Sequence, residues 1–98
     1  MNERARERLL SVDARHLVVA CQALVQRLRV THQAFDAGDR ATRIACVRAH
    51  DEQAEALLNL LSVVECADPG ADVVQRLRAG LEKALVSARE RGFEAFSG

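Results

Sequence analysis

The chain has 98 residues, 49% of them hydrophobic, and carries 14 basic and 14 acidic side chains, so its formal net charge is zero. This length predicts a single domain over residues 1–98, and the apolar content excludes an intrinsically disordered chain. Phosphate contacts need a basic surplus or a basic stripe, and neither is evident along the sequence, so we expect no nucleic-acid partner.

The first predicted helix covers residues 13–37. Its apolar positions recur at spacings of three and four, which is one face of an α-helix. These positions are Leu17, Cys21, Leu24, Leu28, Thr31 and Phe35. Asp13 is a suitable N-cap, and Gly38 is expected to end the helix with a positive φ. The ten residues at the N-terminus form a possible extra short helix.

The second and third predicted helices cover residues 40–65 and 71–91. Asp39 is the expected cap of the second helix, the Asp-Pro-Gly turn at 68–70 separates the two, and Gly92 ends the third. The sequence FEAFSG (93–98) after it reads as a short tail. Short links between long helices favour antiparallel neighbours, so we predict an all-α, antiparallel up-down bundle of three long helices.

The leucines of the second helix cover a wider arc than one bundle core can shelter, which predicts a groove for a partner. On this helix the groove residues are Leu57, Leu58, Leu61 and Val64, and those facing them are Leu77, Leu81 and Leu85. The N-terminal segment of the chain, a second copy of the chain or an amphipathic helix of another protein would cover such a surface. Plain core packing is the alternative for each residue.

His50 falls on the apolar stripe of the second helix. A lone histidine in the middle of a helical bundle resembles histidine phosphotransfer domains, but the lysine that follows there is Gln53 here. The favoured interpretation is a partly buried histidine that is hydrogen-bonded to a neighbour or lies at the edge of the core. The spacings of the His and Cys residues predict no metal site, and neither a phosphate-binding loop nor a catalytic triad is present. We therefore expect no enzyme and no cofactor.

Three cysteines without a CxxC spacing favour a reducing compartment, and we expect a cytoplasmic protein. Cys21 lies on the first apolar stripe and is predicted to be buried, whereas Cys66 is predicted to be exposed. The longest purely apolar run, LVVAC, is far shorter than the ~20 residues that cross a bilayer, so no membrane insertion is expected.

The chain resembles the bacterial flagellar export chaperones, nearest to the FliS type and with the FliT type second. The resemblance is carried by AFDAGD (34–39) at the first turn, Arg48-Ala49 with Asp51 in the second helix, and Arg76-Leu77 through Leu85 in the third. It implies a cytoplasmic chaperone that binds flagellin or another exported flagellar subunit and prevents premature assembly. The alternatives are phosphotransfer at His50 and a small homodimerising helical module.

Overall fold

The computed structural model describes residues 3–67 and 72–96, with side chains described for 15–66 and 72–96. The elements are α1 (Glu3–Ala37), α2 (Arg40–Ala67), α3 (Asp72–Glu90) and a single 3₁₀ turn (Phe93–Ala95). The three helices pack together, and the described ranges contain no strand, which confirms the all-α prediction. None of the described helices combines the length and hydropathy that crossing a membrane requires. The predicted Asp-Pro-Gly turn at 68–70 lies outside the described residues.

α1 begins well before the predicted start of the first helix. It runs without interruption from Glu3 to Ala37, so Asp13 lies inside the helix and does not cap it. The segment 3–12 (ERARERLLSV) has no Gly or Pro and is rich in strong helix formers, so nothing in it stops a helix. The possible extra N-terminal helix is therefore the beginning of α1 itself.

The turn between α1 and α2 depends on Gly38 and Asp39. The backbone N–H of Thr42 donates to Oδ1 of Asp39 at 2.9 Å, which confirms the predicted N-cap and lowers the pKa of that carboxyl. The positive φ expected at Gly38 is wrong, because Gly92 alone has one among the described residues. A Cβ at Gly38 would lie 2.6 Å from Cγ2 of Thr42 and 2.9 Å from the carbonyl oxygen of Ala34. Close approach is the reason for this glycine.

Side chains from all three helices build the core. One cluster of buried residues consists of Cys21, Leu28, Leu57, Leu61, Leu77 and Leu81. A second cluster, nearer the first turn, consists of Phe35, Cys46, Val47, Ala88 and Phe93. The first cluster is aliphatic apart from a thiol, as expected from a sequence with three aromatic residues.

The residues after α3 belong to the second cluster. Gly92 ends α3 with a φ of 76°, as predicted for a terminating glycine. Phe93 is 5% exposed, and its ring centroid lies 4.5 Å from that of Phe35. Within the segment predicted to be a short tail, Phe93 is therefore packed, because it has a large apolar surface that the bundle end can bury.

Candidate functional site

The seven residues predicted to bind a partner fall into a buried set and an exposed pair. The buried set is Leu57 and Leu61 at 0% exposure, Val64 at 2%, and Leu77 and Leu81 at 7% each. The exposed pair is Leu58 at 48% and Leu85 at 43%. The chain's own helices thus cover more of the leucine surface than the sequence suggested, and Leu58 and Leu85 alone of the seven have exposed side chains. The partner-binding role of the set stays a prediction.

The two exposed leucines border the line along which α2 and α3 meet. Leu85 and Asp51 line the same cavity of about 230 Å³. Further along, Glu65 of α2 forms an ion pair with Arg78 of α3. Leu58 is seven residues from both Asp51 and Glu65, and two helical turns bring such positions to one face. Leu85 is likewise seven residues from Arg78. We refer to these five residues as the α2–α3 seam.

The cavity in the seam has an aromatic interior and a charged rim. His50 and Phe93 line it from the buried side, whereas Arg89 and Glu94 are exposed at its rim. Asp51 adds a second carboxylate. The seam therefore offers apolar area beside charges of both signs, which suits a peptide surface better than a small anion.

His50 is buried against a second histidine, His32, which the sequence analysis did not connect with it. Its Nδ1 lies 3.0 Å from Nε2 of His32 on α1, and the two residues are 3% and 6% exposed. Phe93 meets both imidazole rings edge-on, at centroid distances of 5.1 and 5.4 Å. One nitrogen donates and the other accepts, which is a contact that two neutral imidazoles can make. The interpretation of His50 as a histidine hydrogen-bonded to a neighbour is confirmed.

Burial keeps this pair neutral. The pKa of His32 is lowered to about 4, chiefly by burial and then by the nearby His50 and Arg91. Burial also lowers the pKa of His50, against a smaller opposing effect of Asp51. A phosphotransfer site needs an imidazole that is open to solvent, and the His50 side chain, at 3% exposure, does not match that requirement.

An ion pair ties the end of α3 to α1 beside the histidines. Nε and Nη2 of Arg91 donate to Oδ1 and Oδ2 of Asp36 at 2.8 and 2.9 Å, and Arg91 also donates to the Ser87 hydroxyl. These hydrogen bonds lower the pKa of Asp36 and raise that of Arg91. The two-pronged contact sets the position of the guanidinium at one end of a groove between α1 and α3.

That groove between α1 and α3 is a feature that sequence reasoning missed. It consists of two cavities, of about 230 and 290 Å³, which share Val25, Arg29 and Gly80. Its cationic lining residues are Arg29 from α1, Arg76 and Lys83 from α3, and Arg91. No Asp or Glu in the described parts of the chain lines either cavity. We call this surface the cationic groove. Its charges come from distant segments, so no basic stripe is visible along the sequence.

Metal and thiol chemistry find no support among the described residues. Within them, no three His, Cys, Asp or Glu side chains lie close enough together to hold a metal ion. Cys21 and Cys46 are buried and Cys66 is exposed, as predicted for Cys21 and Cys66. Burial raises the pKa of the Cys21 thiol, which makes it a core residue of low reactivity.

Comparison of the chain with known protein families, with curated protein sequences and with solved structures found no match in any of the three.

Proposed function

We propose that this chain is a cytoplasmic, non-enzymatic protein of the export-chaperone type that holds an amphipathic helix of another protein. The supporting observation is the exposure of Leu58 and Leu85, at 48% and 43%, along one seam between two helices. Apolar side chains on adjacent helices form the kind of groove into which a partner helix lays its apolar face. The sequence resemblance extends the proposal to the client, which would be flagellin or another exported flagellar subunit.

The proposed architecture is an antiparallel up-down bundle. Thr31 of α1 donates to Gln53 of α2, whereas the next residue along, His32, bonds to His50. Contacts therefore move backward along α2 as they move forward along α1, which supports opposite chain directions. The pattern agrees with the short two-residue link between the helices.

An antiparallel arrangement would also bring the exposed leucines side by side. Glu65 pairs with Arg78, and Leu58 and Leu85 each lie seven residues, about 10.5 Å, from that ion pair. In antiparallel helices both displacements run in the same direction. A client helix would then contact Leu58 and Leu85 together, which is why the proposal treats them as one site.

The direct test uses purified flagellin and purified filament-cap protein as candidate clients. We expect the unaltered chain to bind at least one of them in isothermal titration calorimetry, and the Leu58→Glu/Leu85→Glu variant to bind at least tenfold more weakly. Val63→Glu is the matched control, because Val63 is 53% exposed on the same α2 but faces about 140° away from Leu58. It should bind as the unaltered chain does.

Two results would reject the proposal. One is the absence of binding to either exported subunit. The other is equal binding by the seam variant and the Val63→Glu control. Light scattering without a client separates the homodimer alternative, since a chain that pairs through the seam would have twice the monomer mass and lose it in Leu58→Glu/Leu85→Glu.

A further inference from the structure

The cationic groove carries positive charges that are not used within the described part of the chain. Arg29, Arg76 and Lys83 are exposed, and none of them forms an ion pair with another described residue. Arg91 differs, because Asp36 already holds it. A chain with a net charge of zero thus concentrates three available cations along one groove.

Apolar side chains line the same groove between the cations. The half-buried Val25 of α1 lines it together with the half-buried Val73 and Ala84 of α3. On α1 the lining runs from Gln22 to Gln33, which corresponds to about 16 Å of helix, or three turns. The groove therefore has an apolar strip flanked by positive charge, at a length that matches a short helix.

Gly80 keeps the middle of the groove open. It lies inside α3, where glycine is less favourable than alanine. A Cβ at this position would lie 3.5 Å from the nearest carbon of Val25, an ordinary van der Waals distance. The packing of α1 on α3 therefore does not require a glycine here, in contrast to the turn at Gly38.

We propose that the cationic groove binds an acidic amphipathic helix of a second protein, at a site separate from the α2–α3 seam. The helix lays its apolar face on the half-buried Val25, Val73 and Ala84, and its flanking Asp or Glu side chains meet Arg29 on one wall and Arg76 and Lys83 on the other. The proposal is independent of the client site, because the groove lies between α1 and α3 and the exposed leucines lie between α2 and α3.

Charge complementarity together with the apolar lining favours a helix over a nucleic acid. A phosphate backbone would pair with the cations but would leave the apolar lining uncovered. An acidic amphipathic helix satisfies both features at once. The balanced charge of the whole chain also gives little general attraction for a polyanion.

The experiment measures fluorescence anisotropy of labelled peptides with the full chain. The probe is a peptide of about 18 residues, long enough to form a helix, with leucines on one face and glutamates on both flanks. Its twin carries lysine in place of every glutamate. We expect the acidic peptide to bind and the basic twin not to bind, with affinity falling as salt rises from about 0.05 to 0.5 M, because exposed charges are screened.

Charge reversal gives the sharper comparison. Arg76→Glu/Lys83→Glu should bind the acidic peptide about tenfold more weakly and gain binding of the basic twin. Arg27→Glu is the matched control, since Arg27 is exposed on α1 but does not line the groove, and it should leave both affinities unchanged. Gly80→Leu should block the peptide by filling the groove, while a thermal melt by circular dichroism shows whether that variant is folded.

Five outcomes would overturn the proposal. The acidic peptide and its basic twin could bind equally, or the acidic peptide could fail to bind. Arg27→Glu could weaken binding as much as the groove variant. A labelled single-stranded oligonucleotide could bind more tightly than the acidic peptide and be lost in Arg76→Glu/Lys83→Glu, which would assign the groove to nucleic acid. Light scattering could show a dimer that this variant disrupts, which would assign it to a second copy.

Discussion

Acidification from pH 7.5 to 5.0 is expected to weaken the fold through the buried histidine pair. The pKa of His32 is about 4 in the folded chain, against an ordinary value of 6.5. Between these values the unfolded chain binds a proton that the folded chain does not. The contribution of the neutral His32 to the free energy of unfolding is therefore complete above about pH 6.5 and is lost as the pH falls towards 4. The pKa of His50 is lowered as well, so its contribution has the same sign.

The size of the effect follows from the shift. The difference between the two pKa values of His32 lowers the free energy of unfolding by about 3 kcal/mol when the pH lies below both values. At pH 5.0 the loss is about 2 kcal/mol. For a small domain that unfolds in urea with a slope of about 1–2 kcal/mol per molar, the midpoint should fall by about 1–2 M. Far-UV circular dichroism follows the transition, because the chain is helical and has no Trp or Tyr.

The controls separate the pair from other titrating groups. His32→Leu/His50→Leu removes both partners of the hydrogen bond, so neither is left buried and unpaired, and its urea midpoint should change little between the two pH values. His16→Gln alters an exposed histidine of the same α1 and should keep the shift of the unaltered chain. The pKa of the neighbouring Asp36 is lowered by Arg91, so that carboxylate stays ionised throughout the range. Equal midpoints at pH 7.5 and 5.0 in the unaltered chain, or an undiminished shift in the double variant, would refute the reasoning.

Packing at single positions sets three further expectations for the purified chain. Gly38→Ala should lower the free energy of unfolding by more than about 1 kcal/mol, because the added Cβ has no room. Gly80→Ala should raise the free energy of unfolding by about 0.5–1 kcal/mol. Shifts of the same sign for both variants in urea melts would contradict this. Leu57→Ala empties a fully buried site and should cost about 2–5 kcal/mol, against less than about 1 kcal/mol for the exposed Leu58→Ala, so equal losses would count against the observed burial. In a thiol titration of the folded chain only Cys66 should react quickly, and all three cysteines should react in urea; a second fast thiol would show that the core is open.

Helical periodicity predicted most of the core because burial follows the face of a helix. Cys21, Leu28 and Phe35 lie on the predicted stripe of α1, and all three are buried. The predicted start of the first helix at Asp13 is wrong for a local reason. An aspartate can cap a helix, but it can also lie inside one when the preceding residues favour helix. The positive φ predicted for Gly38 is wrong because this glycine is needed for the close approach of a neighbouring turn, which local φ preferences do not reveal.

The candidate surfaces were less predictable because they depend on how the helices are placed. Periodicity marked Leu57 and Leu58 as apolar alike, yet one is enclosed and the other is 48% exposed, since the edge of the core depends on where α3 lies. The cationic groove needs Arg29 and Lys83, which are 54 positions apart, to face each other across two helices. One signal was available for the histidines, since His50 falls on the apolar stripe of its helix and His32 directly follows the stripe residue Thr31.

The polar contacts between α1 and α2 select one register of these two helices. The apolar stripes repeat every three or four residues, so a slide of one turn would still place apolar side chains against each other. The same slide would separate His32 from His50 and Thr31 from Gln53, which are joined at 3.0 and 2.9 Å. Each buried polar group left without a partner costs about 1–3 kcal/mol. In the described structure no buried side-chain nitrogen or oxygen lacks a partner. The shifted registers are therefore disfavoured by the polar contacts, while the apolar contacts hold the helices together in any of them.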